Sequence, residues 1–140
     1  MTSHPESALV LLNEARNDLR AGKDEFDSDK PVAETISFHM QKAIEKYLKS
    51  YLVFSGHEIE TIHDMAGILE MCRSIDPEFS LLTDAETLIL ASHGEEIHKH
   101  DLSVSMPAVT SEAIMLADRV KDFVEDKLTD LGLDINLGRV

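Results

Sequence analysis

The apolar residues of this chain recur every three or four positions along most of its length, which is the period of an amphipathic α-helix. No stretch alternates apolar and polar residues for long enough to predict a β-strand. The pattern predicts five helices: Pro5 to about Glu25, about Val32 to Phe54, about Met65 to Arg73, the apolar positions from Leu81 to about Gly94, and a last helix starting at Thr110 or Ser111. Short connections between them predict an all-α, antiparallel bundle of four long helices plus a short one.

The second predicted helix has the clearest pattern. Gly56 stands where a glycine commonly ends a helix, and Asp64 or Thr61 is placed to cap the third helix. The predicted buried positions of the second helix are Ile36, Met40, Ala43, Ile44, Tyr47, Leu48, Tyr51 and Leu52.

Length and composition indicate a single packed domain. The chain has 140 residues, of which 43% are hydrophobic, and its only breaks in pattern are short. A chain of this length buries about two-thirds of its unfolded surface. We predict one domain over residues 1–130 and a loosely ordered tail over 131–140, where two glycines interrupt any period.

The single cysteine, Cys72, excludes an intrachain disulfide and a thiol metal site, and it favours a reducing compartment. The first residues lack the basic start and apolar run of a signal peptide, and no stretch approaches the ~20 apolar residues of a membrane span. We therefore expect a cytoplasmic protein without membrane contact, and no motif predicts a cofactor.

The formal charge of −14 argues against a general nucleic-acid binder, because such proteins usually carry a basic surface. Residues 57–101 contain eleven acidic and two basic side chains, whereas residues 31–56 contain two acidic and three basic ones. Any contact with RNA must therefore be local, and 31–56 is the candidate stretch.

Within that stretch, four nitrogen-bearing side chains fall within about 80° of one another on the polar side of the second helix. They are His39, Lys42, Lys46 and Lys49. They are either a solvated helix surface or an anion-binding strip for a phosphate group or an acidic partner. Gln41 and Glu45 lie along one edge of the apolar face, where a pair bridging to a neighbouring helix is the simplest interpretation.

The run FHMQKAIEKYLKSYLVFSGHEIETIHDMAGILEMC, residues 38–72, resembles the signature of HEPN-domain proteins. In that family an aromatic-His-x-Gln helix with Glu-Lys-x-Leu-Lys is followed by a glycine, a His-Asp pair and a Leu-rich helix. Gln41, Glu45, His63 and Asp64 are the signature positions here. The resemblance implies a helical bundle that usually forms a homodimer, and a partner of the minimal nucleotidyltransferase type. Many members are metal-independent ribonucleases with an Arg-x4–6-His motif.

That ribonuclease motif is absent, because no arginine of the chain has a histidine five to seven residues downstream. An always-charged arginine suits the phosphate and a histidine suits proton transfer. In one branch of the family the corresponding segment reads Glu-x-Arg-Tyr-Pro-Asp, and here Glu96 to Asp101 aligns with it, with His98 in place of the arginine. His98, Lys99 and His100 are therefore the candidate catalytic residues of a rewired site.

The sequence is compatible with three functions. The favoured one is a non-catalytic dimeric module that binds a nucleotidyltransferase or a nucleotide or phosphate ligand through the second helix. The alternatives are a toxin-like ribonuclease using His98, Lys99 and His100, and a metal-binding regulator using His93, His98 and His100 with Asp101. No ligand spacing is diagnostic of metal, so the prediction is that no metal is bound. His63-Asp64 is interpreted as a helix start, with Asp64 near its positive end.

Overall fold

The computed structural model describes residues 4–59, 64–82 and 106–137, and in the last range it describes side chains from residue 110 onward. All regular structure in these ranges is helical, which confirms the predicted all-α fold. The elements in chain order are α1 (His4–Phe26), α2 (Ala33–Phe54), α3 (Met65–Ile75), a 3₁₀ helix (Pro77–Leu82) and α4 (Met106–Asp130). The predicted fourth helix lies mostly outside the described residues, and its first two apolar positions, Leu81 and Leu82, belong to the 3₁₀ helix.

Helices α1 and α2 pack against each other along their lengths and run antiparallel. His4 at the start of α1 lies near Gly56 after the end of α2, and Gly22 near the end of α1 lies against His39 and Met40. Helix α4 also runs antiparallel to α1, since Arg16 meets Glu125 and Lys23 meets Asp118. Helix α2 is thus central, with contacts to α1, α3 and α4.

The core forms where the sequence predicts it. All eight apolar positions predicted for α2 are at most 4% exposed. Each buried Leu or Ile contributes roughly 1.5–3 kcal/mol relative to exposure. Phe79 of the 3₁₀ helix packs its ring 4.6 Å from that of Tyr51 on α2 and 4.9 Å from that of Phe123 on α4. This aromatic contact fixes the 3₁₀ helix against the bundle.

Two helices end at a glycine with positive φ. Gly56 follows α2 with φ of +87°, and the N–H groups of Gly56 and His57 donate to the carbonyls of Val53 and Leu52. Gly132 follows α4 with φ of +99°, and the N–H groups of Gly132 and Leu133 donate to the carbonyls of Thr129 and Leu128. Only glycine adopts this left-handed conformation without a steric cost, so the predicted stop at Gly56 is confirmed.

The predicted end of α1 near Glu25 is confirmed to within one residue, at Phe26. Two other predicted helix boundaries are wrong. Helix α3 continues to Ile75, a partly buried side chain that packs against the core. Helix α4 begins at Met106, about one turn before the predicted start, because a proline in the first turn removes only an N–H that has no partner within the helix.

The described part of the tail, residues 131–137, is held against the bundle. Leu133 is 5% exposed, and Ile135 packs against the core. Arg16 of α1 donates from Nη1 to the carbonyl oxygen of Ile135 at 2.8 Å. The prediction that this stretch is loosely ordered is therefore wrong for residues 131–137, since a buried arginine and a buried leucine anchor it.

Candidate functional site

The residues predicted from sequence fall into two groups. His39, Gln41, Lys42, Glu45, Lys46, Lys49 and Asp64 lie in the described part of the chain. The predicted catalytic residues His98, Lys99 and His100 lie outside it, as do His63, His93 and Asp101. Within residues 4–59, 64–82 and 106–137, no group of three or more His, Cys, Asp or Glu side chains is placed to hold a metal ion.

Asp64 begins α3, as the sequence predicts. Its Oδ1 accepts a hydrogen bond from the backbone N–H of Gly67 at 2.7 Å. An aspartate at this position satisfies one of the free N–H groups of the first turn and adds negative charge at the positive end of the helix. The role of Asp64 is therefore to cap the helix.

Two members of the predicted anion-binding strip converge on one carboxylate of α1. Lys46 Nζ donates a hydrogen bond to Asp18 Oδ2 at 2.7 Å, and Asp18 Oδ1 lies 3.0 Å from His39 Nδ1. The Asp18 side chain is 15% exposed, and those of His39 and Lys46 are each 26% exposed. These three residues, which we call the clasp, join α1 to α2 by short, half-buried polar contacts.

The clasp shifts the titration of its carboxylate. Burial alone would raise the pKa of Asp18, but hydrogen bonds from Lys46 and His39 and their positive charge outweigh it. The net result is a pKa below the ordinary value of 3.8. Asp18 is therefore held in its charged form. The positive charge of Lys46 is paired with Asp18 within the protein.

The other two lysines belong to a row on the outer face of α2, within an arc of about 80°. The row consists of Glu34, Phe38, Lys42, Glu45 and Lys49, and we call it the outer row. Glu45 lies between two lysines of its own helix, 3.6 Å from Lys42 Nζ and 3.7 Å from Lys49 Nζ. Both distances exceed hydrogen-bond length, so these are loose ion pairs.

Phe38 is the apolar member of the outer row. Its side chain is 55% exposed although it is aromatic. Lys42 Nζ lies 5.9 Å from the centre of its ring, and the His39 ring meets it edge-on with centroids 5.4 Å apart. Single exposed apolar side chains are common on protein surfaces, and Met115 and Leu81 are more exposed than Phe38, so the exposure of Phe38 does not by itself identify a contact surface.

We predicted that Glu45 bridges to a neighbouring helix, but both of its ion pairs are with lysines of α2 itself. Gln41 beside it is half-buried. The bridging carboxylate is Asp18, which sequence reasoning missed. The available signal was its place between the buried Ala15 and Leu19 of α1, a position where a charge needs a partner.

Sequence reasoning also missed Arg16, which is 8% exposed. Its Nε lies 3.2 Å from Glu125 on α4, and its Nη1 also donates to Asn13. Within the described ranges its Nη2 has no hydrogen-bond partner. This side chain ties α1, α4 and the tail together, and its contacts are those of a structural residue.

An open, mostly apolar cleft of about 340 Å³ lies where the end of α1 meets the first part of α4. It is lined by Lys23, Phe26, Asp27, Ser111, Ile114 and Met115. Lys23 is paired with Asp118 at 2.8 Å on α4. The predicted site residues on α2 do not line it.

Cys72 is not a usable nucleophile. Its side chain is fully buried in the core, and its Sγ points at the carbonyl oxygen of Leu48, 3.8 Å away. Burial raises the pKa of the thiol to about 12, so the reactive thiolate is scarce at neutral pH.

Comparison with known proteins identifies one relationship. The family model of the HEPN domain matches residues 8–127. No curated protein and no solved structure matches the chain. None of the helices in the described ranges has the length and apolar content needed to cross a membrane.

Proposed function

The chain belongs to the HEPN domain family, and we propose that it is a non-catalytic, dimeric module for binding and assembly. The observation that supports this most directly is on α2, where every lysine lies beside a carboxylate. Lys46 pairs with Asp18, and Lys42 and Lys49 flank Glu45. A surface with alternating charges suits another protein surface better than it suits a phosphate.

A phosphate group would have to compete with carboxylates already in place. The three lysines and two carboxylates leave one net positive charge, on a chain whose formal charge is −14. Displacing Asp18 would also leave a half-buried carboxylate unpaired, which is costly. A protein partner carries both signs of charge and avoids that cost. The minimal nucleotidyltransferase implied by the family resemblance is such a partner, and we place both in the cytoplasm.

One observation favours a nucleotide ligand as the second candidate. Phe38 is exposed, and Lys42 beside it has a side chain that is 44% exposed. An open aromatic ring stacks on a base, and a nearby cation serves a phosphate. In that case His39, Lys42, Lys46 and Lys49 would form the ligand site. Nucleotide-dependent thermal stabilisation that is lost in Phe38→Ser and Lys42→Met would establish it.

Ribonuclease activity is the alternative to a binding role. Its candidate residues His98, Lys99 and His100 replace an arginine motif that the sequence lacks. Labelled tRNA incubated with the wild type and with the His98→Ala/His100→Ala double variant, with and without EDTA, tests it directly. We expect no cleavage by either protein. Cleavage that resists EDTA and disappears in the double variant would make the protein a nuclease and overturn our proposal.

Self-association is the part of the proposal that can be measured without a partner. Sedimentation equilibrium over a range up to about 1 mM protomer detects even a dimer held by only about 4 kcal/mol. We expect a concentration-dependent dimer. A monomer throughout that range would refute the dimeric part of the proposal.

A further inference from the structure

The outer row of α2 is balanced in charge, unlike the helices α1 and α4. Its two acidic members, Glu34 and Glu45, balance its two basic members, Lys42 and Lys49. Over their full lengths, α1 carries a net charge of −2 and α4 of −3, whereas α2 carries +1. Among the three long described helices, only α2 is therefore not negative overall.

This difference favours α2 over α1 and α4 as the place where two copies of an acidic protein meet. Like charges repel at short range, and salt screens the repulsion only beyond a Debye length of about 8 Å at physiological ionic strength. Contact through the outer faces of α1 or α4 would bring negative surfaces together. Contact through the outer row would not, because that row is neutral and has both signs in alternation.

We propose that a second copy of this chain docks on the outer row, with the two α2 helices antiparallel and Lys42 of each copy facing Glu45 of the other. The inference rests on the proposed function, in which the protein is a dimer, and it assigns the face. The contact is isologous, so every pairing occurs twice.

The antiparallel arrangement follows from the order of charges along the row. If the two helices ran parallel about a two-fold axis, each residue would face its own copy, and Lys42 would meet Lys42 and Glu45 would meet Glu45. In the antiparallel register that joins Lys42 to Glu45 of the second copy, Phe38 faces Lys49 of that copy. A lysine over an exposed aromatic ring is a favourable contact.

The loose ion pairs leave Lys42 available, at 44% exposed, while Glu45 and Lys49 are 22% and 23% exposed. Lys42 and Lys49 lie 3.6 and 3.7 Å from Glu45 and are held by no shorter carboxylate contact in the described ranges. Lys46, by contrast, is fixed at 2.7 Å on Asp18. Lys42 and Glu45 can therefore exchange a loose pair within the helix for a pair across the interface. With Phe38 as its one large apolar residue, the contact is weak and reversible.

A charge-exchange series tests the pairing. Lys42→Glu and Glu45→Lys each place like charges opposite each other at two positions of the dimer, and we expect each to raise the dimer Kd at least about tenfold. The double variant Lys42→Glu/Glu45→Lys restores opposite charges and should return the Kd to near the wild-type value. Sedimentation equilibrium gives the Kd, and circular dichroism confirms that each variant is folded.

Matched controls lie on the exposed face of α1. Arg20→Glu and Glu14→Lys make the same charge changes as the two single variants and should leave the Kd nearly unchanged. Phe38→Ser should weaken the dimer, whereas Val10→Ser should not, although the two side chains are similarly exposed, at 55% and 57%. These controls separate a local contact from a general effect of charge or hydrophobicity.

The outcomes separate this inference from the proposed function. A wild-type dimer that responds to the outer row and is rescued by the double variant supports both. A wild-type dimer that ignores every substitution in the row overturns the docking face and leaves dimeric assembly standing. A wild type that stays monomeric up to about 1 mM overturns both.

Discussion

The clasp and the outer row lie on the same helix and use the same kinds of side chain, yet their geometry differs. In the clasp, Asp18 of α1 holds Lys46 at 2.7 Å and His39 at 3.0 Å, and all three side chains are at most 26% exposed. In the outer row, Glu45 lies 3.6 and 3.7 Å from its two lysines. One carboxylate joins two helices, and the other contacts only its own helix.

The difference shows that a stripe of lysines on a helix is not one functional unit. Lys46 is committed to structure because a carboxylate from another helix meets it in a half-buried place. Lys42 and Lys49 remain available to a partner because Glu45 holds them loosely, at 3.6 and 3.7 Å, although only Lys42 is well exposed. Spacing along α2 groups these lysines together, and only the position of α1 separates them.

The largest expected effect is on folding stability, measured with a pair of isosteric variants. Asp18→Asn removes the charge that Lys46 and His39 face, so we expect a loss of about 1–3 kcal/mol in the free energy of unfolding. Glu45→Gln removes the charge of a loose surface pair and should cost no more than about 0.5 kcal/mol. Urea denaturation followed by circular dichroism measures both. Equal losses in the two variants would remove the distinction between clasp and outer row.

The pH dependence of stability should sharpen the same contrast. The pKa of Asp18 is lower in the folded chain than its ordinary value of 3.8. Its contribution to stability is therefore complete above that value and is lost as the pH falls through the folded pKa. The stability difference between wild type and Asp18→Asn should shrink from about pH 6 to about pH 3. A difference that stays constant over this range would show that the charge of Asp18 is not what stabilises the clasp.

Much of the fold could be predicted from the sequence because burial along a helix repeats with the helical period. The eight apolar positions of α2 and the stop at Gly56 are local signals, and the structure has them as predicted. The start of α4 was harder to predict, as were the contacts between helices. Lys23 of α1 pairs with Asp118 of α4, and a contact between residues 95 positions apart leaves no local trace.

The candidate site was predicted only in part, for the same reason. The sequence places His39, Lys42, Lys46 and Lys49 on one side of α2, but it does not place Asp18 opposite two of them. Arg16 posed a similar problem, since its partners Glu125 and Ile135 are more than 100 positions away. The local sequence predicts which residues lie on the surface of a helix. The pairing of those residues depends on packing between helices.

The smallest expected effect, the response to salt, is also a direct measure of how tightly each pair is held. Raising the ionic strength from about 0.1 M to about 1 M shortens the Debye length from about 10 Å to about 3 Å, and it weakens exposed pairs more than half-buried ones. The stability difference between wild type and Glu45→Gln should therefore vanish at high salt. The difference for Asp18→Asn should largely persist, because the short hydrogen bonds of Asp18 to Lys46 and His39 remain at high salt. If salt removed both differences equally, the clasp would be held no more tightly than the outer row, and Lys46 would become as available to a partner as Lys42.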